Sequence, residues 1–227
     1  MKPRSFVPSY AFGCGLVFGA SVFCTQAQIP WATEPFSRKN KVEVYGLGQY
    51  LHSDNTTFTG PYGENVTMKI DDTGLGGVGM AYHFNDFLSI HSDFMFGQAT
   101  MHAQAPDGTE VSPSQTAFLQ SGRVNLDYNM INRRLTPVLT AGIGYQYLEI
   151  DSEQSYYVQG YHGSWYETQS TYYYETDFTW NVGAGFRWNV TDQLFIKVMG
   201  GAQWLQYSGA QNISTQIEGF FVIGWMF

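Results

Sequence analysis

Residues 217–227, with the sequence IEGFFVIGWMF, are the stretch from which the rest of the chain can be interpreted. In an extended strand, successive side chains point to opposite faces. One face carries Ile217, Phe221, Ile223, Trp225 and Phe227, and the other carries Glu218, Phe220, Val222, Gly224 and Met226. About eleven residues is also the length that a tilted strand needs to cross the hydrocarbon core of a bilayer. The stretch therefore predicts a strand that crosses a membrane.

The composition of the whole chain agrees with an apolar environment. Charged residues make up only 13% of the 227 residues, whereas about a quarter is usual in soluble domains, and aromatic residues reach 17%. The mean hydropathy is nevertheless −0.22, and no apolar run after residue 24 reaches the roughly 18 residues of a membrane helix. This combination is typical of strands with apolar residues outward and polar residues inward. Without clustered basic residues, we expect no nucleic-acid partner.

The N-terminal region predicts export. Residues 1–27 have the features of a signal peptide: Lys2 and Arg4, then an apolar stretch, then a small-residue cleavage site. Lipoprotein processing is a rival interpretation, but Phe23 is bulky for that cleavage. Both cysteines lie in this region, so we expect a mature chain without disulfides, and we expect no metal and no cofactor. Residues 28–40 are interpreted as a periplasmic leader.

The remaining residues, 41–227, predict eight antiparallel strands. The predicted strands are 41–51, 72–84, 87–98, 117–130, 135–148, 178–190, 194–205 and 217–227. Short turns alternate with long connections at 52–71, 99–116, 149–177 and 206–216, which predicts an up-and-down transmembrane β-barrel with both termini in the periplasm. In the first strand, we expect Tyr45 and Leu47 to face lipid, with Gly46 and Gly48 inward.

Four segments resemble the small bacterial outer-membrane barrels of the OmpA-transmembrane-domain and OmpX type. They are GLGGVGMAYHFND, TPVLTAGIGYQ, NVGAGFRWNVTDQL and FFVIGWMF, at residues 74–86, 136–146, 181–194 and 220–227. The resemblance implies a porin-like barrel in the outer membrane, in contact with lipid and lipopolysaccharide. It implies that the barrel-insertion machinery recognises the last strand through Phe221, Ile223, Trp225 and Phe227. Because the chain ends at the eighth strand, we expect no peptidoglycan-binding domain.

The predicted lumen contains a balanced set of charges. Three cationic and three anionic side chains and one histidine point inward: Arg123, Arg187, Lys197, Asp93, Asp127, Glu218 and His91. One interpretation is a structural network that fills a barrel of eight strands, and the other is a narrow passive pore.

The connection 149–177 is rich in tyrosine. Its candidate recognition residues are Tyr156, Tyr157, Tyr161, Trp165, Tyr166, Tyr172, Tyr173 and Tyr174. Tyrosine provides contact area at low entropic cost, which suits ligand binding, but the same residues could hold a hairpin together by cross-strand pairing. The long connections, with Asp72, hold twelve acidic residues and a single lysine, Lys69. Such a surface favours cationic partners or simply keeps the loops soluble.

An enzyme is the third possibility. Outer-membrane lipid A deacylases carry a His and a Ser two residues apart on a late strand, and the strand 194–205 contains neither. His162 and Ser164 have that spacing, but they lie in the tyrosine-rich connection. The sequence therefore predicts a non-enzymatic envelope or surface protein that contacts an extracellular ligand through its loops.

Overall fold

The computed structural model describes residues 34–59, 65–105, 109–160, 163–205, 207 and 210–227. Within these residues the secondary structure consists of strands, and no helix is long and apolar enough to cross a membrane. The strands are β1 (Val42–Ser53), β2 (Thr56–Thr59), β3 (Asn65–Ile70), β4 (Thr73–His83), β5 (Leu88–Gln104), β6 (Glu110–Asn129), β7 (Leu135–Gly160), β8 (Gly163–Asn189), β9 (Leu194–Leu205) and β10 (Ser214–Met226).

Eight of these strands form a closed antiparallel barrel. β1 pairs with β4, β4 with β5, and each later strand with the next, until β10 returns to pair with β1. The register between β1 and β10 runs from Glu43 opposite Met226 to Ser53 opposite Gln216. β2 and β3 form a short hairpin between β1 and β4, and β3 also pairs with β5. The predicted eight-stranded up-and-down barrel is confirmed.

The burial of side chains alternates along the barrel strands as a period of two requires. In β10, for example, Phe221, Ile223 and Trp225 are exposed, whereas Val222 and Met226 are buried. Each strand presents apolar side chains outward, among them Val44, Val78, Phe94, Leu126, Ile143, Val182, Val198 and Ile223. The exposed apolar belt surrounds a buried polar lumen, which is the distribution expected of a barrel in lipid.

The predicted register of the first strand is wrong. Tyr45 and Leu47 are buried in the lumen, and Gly46 and Gly48 lie on the outer face. The physical reason is the strand's polar side chains: with this register Glu43 is buried in the lumen, whereas a slip of one residue would turn it toward lipid. The glycines have no side chain with which to mark a face.

Two of the predicted long connections are mostly strand. β7 and β8 continue to Gly160 and Gly163, so the range 149–177 is a hairpin that projects beyond the barrel. β5 and β6 likewise extend into the range 99–116. The extensions of β7 and β8 carry polar residues on both faces and therefore lack the apolar alternation that identified the membrane-crossing parts.

The opposite end of the barrel has the short turns, formed by the predicted residues. The Asn85 side chain accepts hydrogen bonds from the Phe87 and Leu88 amides, both at 2.8 Å. The Thr191 hydroxyl accepts from the Gln193 and Leu194 amides at 3.2 and 2.9 Å. Such local side-chain bonds stabilise tight turns. We call this end the short-turn end and the other the long-hairpin end.

Candidate functional site

The centre of the lumen contains a bidentate ion pair between β6 and β10. Arg123 donates through Nη1 to Glu218 Oε1 at 3.0 Å, and its Nη2 lies 2.8 Å from Oε2. Gln49 Nε2, on β1, donates to the same carboxylate at 2.8 Å. The Arg123 guanidinium also lies 5.2 Å from the centroid of the Phe220 ring. The contact joins opposite parts of the barrel wall through the lumen.

A second cluster joins β1, β5, β6 and β9. Lys197 Nζ donates to Asp127 Oδ2 at 2.6 Å. His91 lies between two carboxylates, 3.2 Å from Asp93 and 3.2 Å from Asp127. The Tyr45 hydroxyl donates to Asp93 at 2.6 Å. All five side chains are buried.

A third cluster lies nearer the short-turn end and includes residues that the sequence interpretation missed. Arg187 pairs with Glu43, and His83 Nε2 lies 2.6 Å from the same Glu43 carboxylate. The Arg187 guanidinium stacks 4.2 Å from the Phe195 ring centroid. Glu43 and Tyr45 were missed because the first strand was placed in the wrong register, and the charge of Glu43 itself was the signal that could have corrected it.

The structure thus brings the seven predicted lumen residues into three neighbouring clusters, and it adds Glu43, Tyr45, Gln49 and His83 to them. With these additions the clusters contain four carboxylates, Glu43, Asp93, Asp127 and Glu218, and the buried Arg38 lies close enough to Glu43 and Arg187 to make a fourth cation beside Arg123, Arg187 and Lys197. Among the described residues, no group of three or more His, Cys, Asp or Glu side chains is arranged to hold a metal ion.

The lumen is packed rather than open. A cavity in its central part has a volume of about 30 Å³, lined by Tyr45, His91, Arg123, Lys197 and Glu218 among others. Since about one probe sphere of 10–15 Å³ holds a water molecule, this cavity has room for about two. An eight-stranded barrel is just wide enough for its own side chains to fill, and here they do.

Apolar side chains close the lumen at the long-hairpin end. Phe58 from β2 and Ile70 from β3 meet Met101, Leu148 and Tyr207 there, around a cavity of only about 10 Å³. The Phe58 and Tyr207 ring centroids are 6.2 Å apart. We call these five residues the apolar cap. The β2–β3 hairpin therefore folds over the end of the lumen.

Residues 34–40, the described part of the predicted leader, cross the short-turn end. We call this segment the N-terminal strap. Its Phe36 and Arg38 side chains are buried, and the Arg38 guanidinium donates to the backbone carbonyls of Asp86 and Arg133. Pro35 forms a β-bridge with Arg133. The strap thus joins two of the short turns and covers the lumen between them.

Asp86 holds the N-terminal strap in place. Its Oδ1 accepts from the Arg38 amide at 2.7 Å, the Ser37 hydroxyl at 2.9 Å and the Lys39 amide at 3.1 Å. Asn132 donates to Oδ2 at 3.2 Å. Desolvation raises the pKa of Asp86, but the hydrogen bonds from the strap outweigh it and leave the pKa below its usual value. The carboxylate is therefore the acceptor on which the strap is anchored.

The tyrosine-rich hairpin at the other end is continuous in its backbone. Its register sets Ile150 opposite Tyr173, Tyr156 opposite Glu167, and Tyr157 opposite Tyr166. The side chain of Tyr174 is exposed. Tyr161 and His162 lie outside the described part of the chain. So do the side chains of the remaining recognition candidates, whose backbone is described.

A half-exposed polar cluster lies on the outer face near the long-hairpin end. His52 Nδ1 is 2.5 Å from Asp72 Oδ1, and the Tyr50 hydroxyl donates to the other carboxylate oxygen. The hydrogen bonds from Tyr50 and then from His52 lower the pKa of Asp72. This cluster lies among the acidic long connections and adds a polar rim to the apolar belt.

A closed barrel with an apolar outer belt and a packed polar lumen defines the class of integral β-barrel membrane proteins. The chain belongs to the outer membrane protein beta-barrel domain family, whose pattern matches residues 16–218. It is therefore a protein of the bacterial outer membrane. No curated protein matches the sequence.

Solved structures of other outer-membrane barrels are similar to this chain at low sequence identity. OprG from Pseudomonas aeruginosa is 10% identical with a TM-score of 0.54, over 85% of this chain and 98% of that one. Neisserial surface protein A is 13% identical with a TM-score of 0.49, over 80% and 96%. The outer membrane protease OmpT from Escherichia coli is 10% identical with a TM-score of 0.46, over 86% and 98%. A barrel fold is compatible with many activities, so it does not decide the role of this protein.

Proposed function

We propose that this outer-membrane barrel is a non-enzymatic surface protein whose lumen is a rigid structural core and whose projecting β7–β8 hairpin contacts extracellular molecules. The observation that carries the proposal is the filled lumen: its charges are paired with each other, and both ends are covered. What remains available for contact with other molecules is the long-hairpin end. Its tyrosines suit recognition because they offer large contact area with little entropy to lose.

The same proposal assigns two further partners. The exposed apolar belt would lie against outer-membrane lipid and lipopolysaccharide. The terminal strand, with Phe221, Ile223, Trp225 and Phe227 on its outer face, would be the segment that the barrel-insertion machinery recognises.

The hairpin can be shortened without disturbing its register. Removing residues 153–158 together with 165–170 deletes six matched pairs, from Glu153 opposite Ser170 to Val158 opposite Trp165. Cells that express this variant should keep the barrel in the outer membrane and lose binding to surfaces and extracellular molecules. A matched control keeps the full length but carries Thr, a good strand former, at the tyrosines of 156–174. Loss of binding in both variants indicates tyrosine recognition, and unchanged binding in the shortened variant contradicts the proposal.

The alternative of a passive pore makes an opposite prediction for purified protein. A lumen whose central cavity has room for about two waters should show no stable conductance in a planar bilayer. Resolved, voltage-dependent current steps from the wild-type protein would favour the pore. Incubation with lipid A tests the enzyme alternative, because an enzyme of that type would release acyl chains.

A further inference from the structure

An open groove lies on the outside of the barrel at the short-turn end, beside the turn between β8 and β9. Its volume is about 530 Å³, within the range of about 300–1,000 Å³ that is usual for small-molecule sites. The groove is lined by Glu34, Arg134, Trp188, Val190, Thr191 and Asp192. The N-terminal strap, the turn before β7 and the end of β8 with its turn therefore form it together.

The groove begins where the apolar belt ends. Trp188, on the outer face of β8, lies opposite Leu135 on β7 and opposite Ile196 on β9. Two residues further into the belt, Phe186 is exposed. Tryptophan is enriched at the boundary between hydrocarbon and headgroups, because its ring is apolar and its N–H is polar. The groove is therefore at the height of the lipid headgroups, and the acyl chains of a lipid there would lie beside Phe186.

Three charged side chains of alternating sign meet in the groove. Arg134 donates through Nε to Glu34 Oε2 at 3.2 Å and through Nη2 to Asp192 Oδ1 at 2.8 Å. Within the described part of the chain, Arg134 Nη1 and the second carboxylate oxygens of Glu34 and Asp192 have no hydrogen-bond partner. Both carboxylates are largely exposed. A bound molecule would therefore find one cationic donor and two anionic acceptors.

The position of Arg134 is fixed before any ligand binds. Its backbone carbonyl accepts from the Asn189 amide at 2.8 Å and from the Asn189 side chain at 3.1 Å. Its guanidinium lies 5.2 Å from the centroid of the Phe36 ring. Because an immobilised donor has little conformational freedom left to lose, it binds an anionic group at low entropic cost.

The charges indicate the kind of headgroup that fits. A phosphate alone would bind Arg134 but would lie beside two carboxylates of its own sign, which is unfavourable. An ethanolamine headgroup also carries a primary ammonium, which has three N–H donors like that of lysine. The ammonium can donate to a carboxylate while the phosphate accepts from Arg134. The Thr191 hydroxyl, which accepts from two turn amides, still has its own proton to donate to the phosphate.

We propose that this groove binds the headgroup of a phospholipid that carries ethanolamine. Arg134 Nη1 donates to the phosphate, and the ammonium donates to the free oxygen of Glu34 or Asp192. The short turns of outer-membrane barrels face the periplasm, so the lipid belongs to the periplasmic leaflet. The site is separate from the β7–β8 hairpin, and it favours one headgroup, whereas the apolar belt contacts acyl chains in general.

Native mass spectrometry of the full-length protein released from nanodiscs tests this preference. The nanodiscs contain equal amounts of phosphatidylethanolamine and phosphatidylglycerol with the same acyl chains, so that only the headgroups differ. The ethanolamine lipid should stay bound about fivefold more often than the glycerol lipid, as one exposed ion pair allows. Equal retention of the two lipids, or more of the glycerol lipid, overturns the proposal.

The double substitution E34Q and D192N removes both carboxylates and should abolish the preference. The barrel should still fold, because exposed ion pairs contribute little to stability and Arg134 keeps its contacts with Asn189 and Phe36. D54N, which removes an exposed carboxylate at the long-hairpin end, is the matched control and should keep the preference. If the double variant also keeps it, the headgroup binds elsewhere and the proposal is wrong.

Coupling with a carbodiimide locates the lipid at single carboxylates. The reagent activates a carboxyl group, which forms an amide with an adjacent primary amine as a urea is released. Peptide mapping should find the ethanolamine lipid coupled to Glu34 or Asp192 in preference to Asp72, which is half-exposed on the outer face at the other end. Dissolved ethanolamine, coupled under the same conditions, corrects for the different exposure of these carboxylates. The same corrected coupling at both ends contradicts a headgroup site in the groove.

Discussion

Replacing Glu218 by alanine tests whether the lumen is a packed core. The carboxylate is only 4% exposed and accepts two contacts from Arg123, at 3.0 and 2.8 Å, and one from Gln49 at 2.8 Å. Without Glu218, Arg123 keeps its place on the Phe220 ring and a long hydrogen bond to Ser121 at 3.4 Å. The guanidinium would then be buried without its counter-charge.

The size of the loss follows from this geometry. Removing one partner of a buried ion pair costs about 3–5 kcal/mol, because the remaining charge stays desolvated. Replacing both partners by methionine removes the stranded charge, and the double variant should lie within about 2 kcal/mol of the wild type. We therefore expect E218A to be less stable than the double substitution R123M and E218M, although it changes fewer residues.

Urea titrations of protein folded in lipid vesicles, followed by tryptophan fluorescence, would measure these free energies of unfolding. D192A is the control, because it breaks the ion pair between Arg134 and Asp192. The two charged groups are 2.8 Å apart, but the Asp192 side chain is 78% exposed. Exposed pairs contribute about 0–1 kcal/mol. If E218A is no more destabilising than D192A, the lumen is solvated and is not a packed core.

Three further predictions concern other parts of the barrel. D86N should release the N-terminal strap and raise the amide hydrogen exchange of its backbone by about tenfold or more, since several bonds to one charged acceptor are weakened. The pKa of Asp86 is below its usual value, so the wild-type strap should be fully anchored above about pH 4 and should loosen as the pH falls through the folded-state pKa. Y45F should lower the free energy of unfolding in the same urea titration by about 1–2 kcal/mol, because Asp93 loses the hydroxyl that donates to it at 2.6 Å. An unchanged urea midpoint would show that this hydrogen bond does not stabilise the barrel. G185A should prevent or strongly weaken folding, because its Cβ would lie 2.1 Å from a backbone oxygen, whereas G76A, with no atom within 4 Å of its Cβ, should fold normally.

The sequence predicted the membrane-crossing part of the fold well because lipid and lumen impose opposite requirements on alternate residues. Arg187 shows this clearly: a slip of one residue would expose its charge to lipid, at about 2–4 kcal/mol in mid-bilayer, so the register of β8 was well determined. In the first strand, Gly46 and Gly48 carry no such signal, and the register chosen there was wrong. The charge of Glu43 indicates the correct register, because it places Glu43, Tyr45 and Leu47 together on the lumen face.

Outside the bilayer the constraint disappears. Residues 151–160 and 163–173 are strand in the structure, but water accepts polar residues on either face, so no alternation marks them. The N-terminal strap could not be predicted either, because its anchor, Asp86, is 48 residues from Arg38. Contacts of that kind depend on the closed barrel, which brings distant turns together, and a local pattern does not contain them.

The pairing of β1 with β10 also has a consequence for the kinetics of folding. Gln49 and Glu218 bond across this seam although they are 169 positions apart, whereas the other barrel pairings join strands that are neighbours along the chain or are separated only by the β2–β3 hairpin. Closing a loop of that length costs about 1.5 kcal/mol more than closing one of about 30 residues. The seam should therefore form last, after the local hairpins, and the barrel should become resistant to denaturant in a single late step.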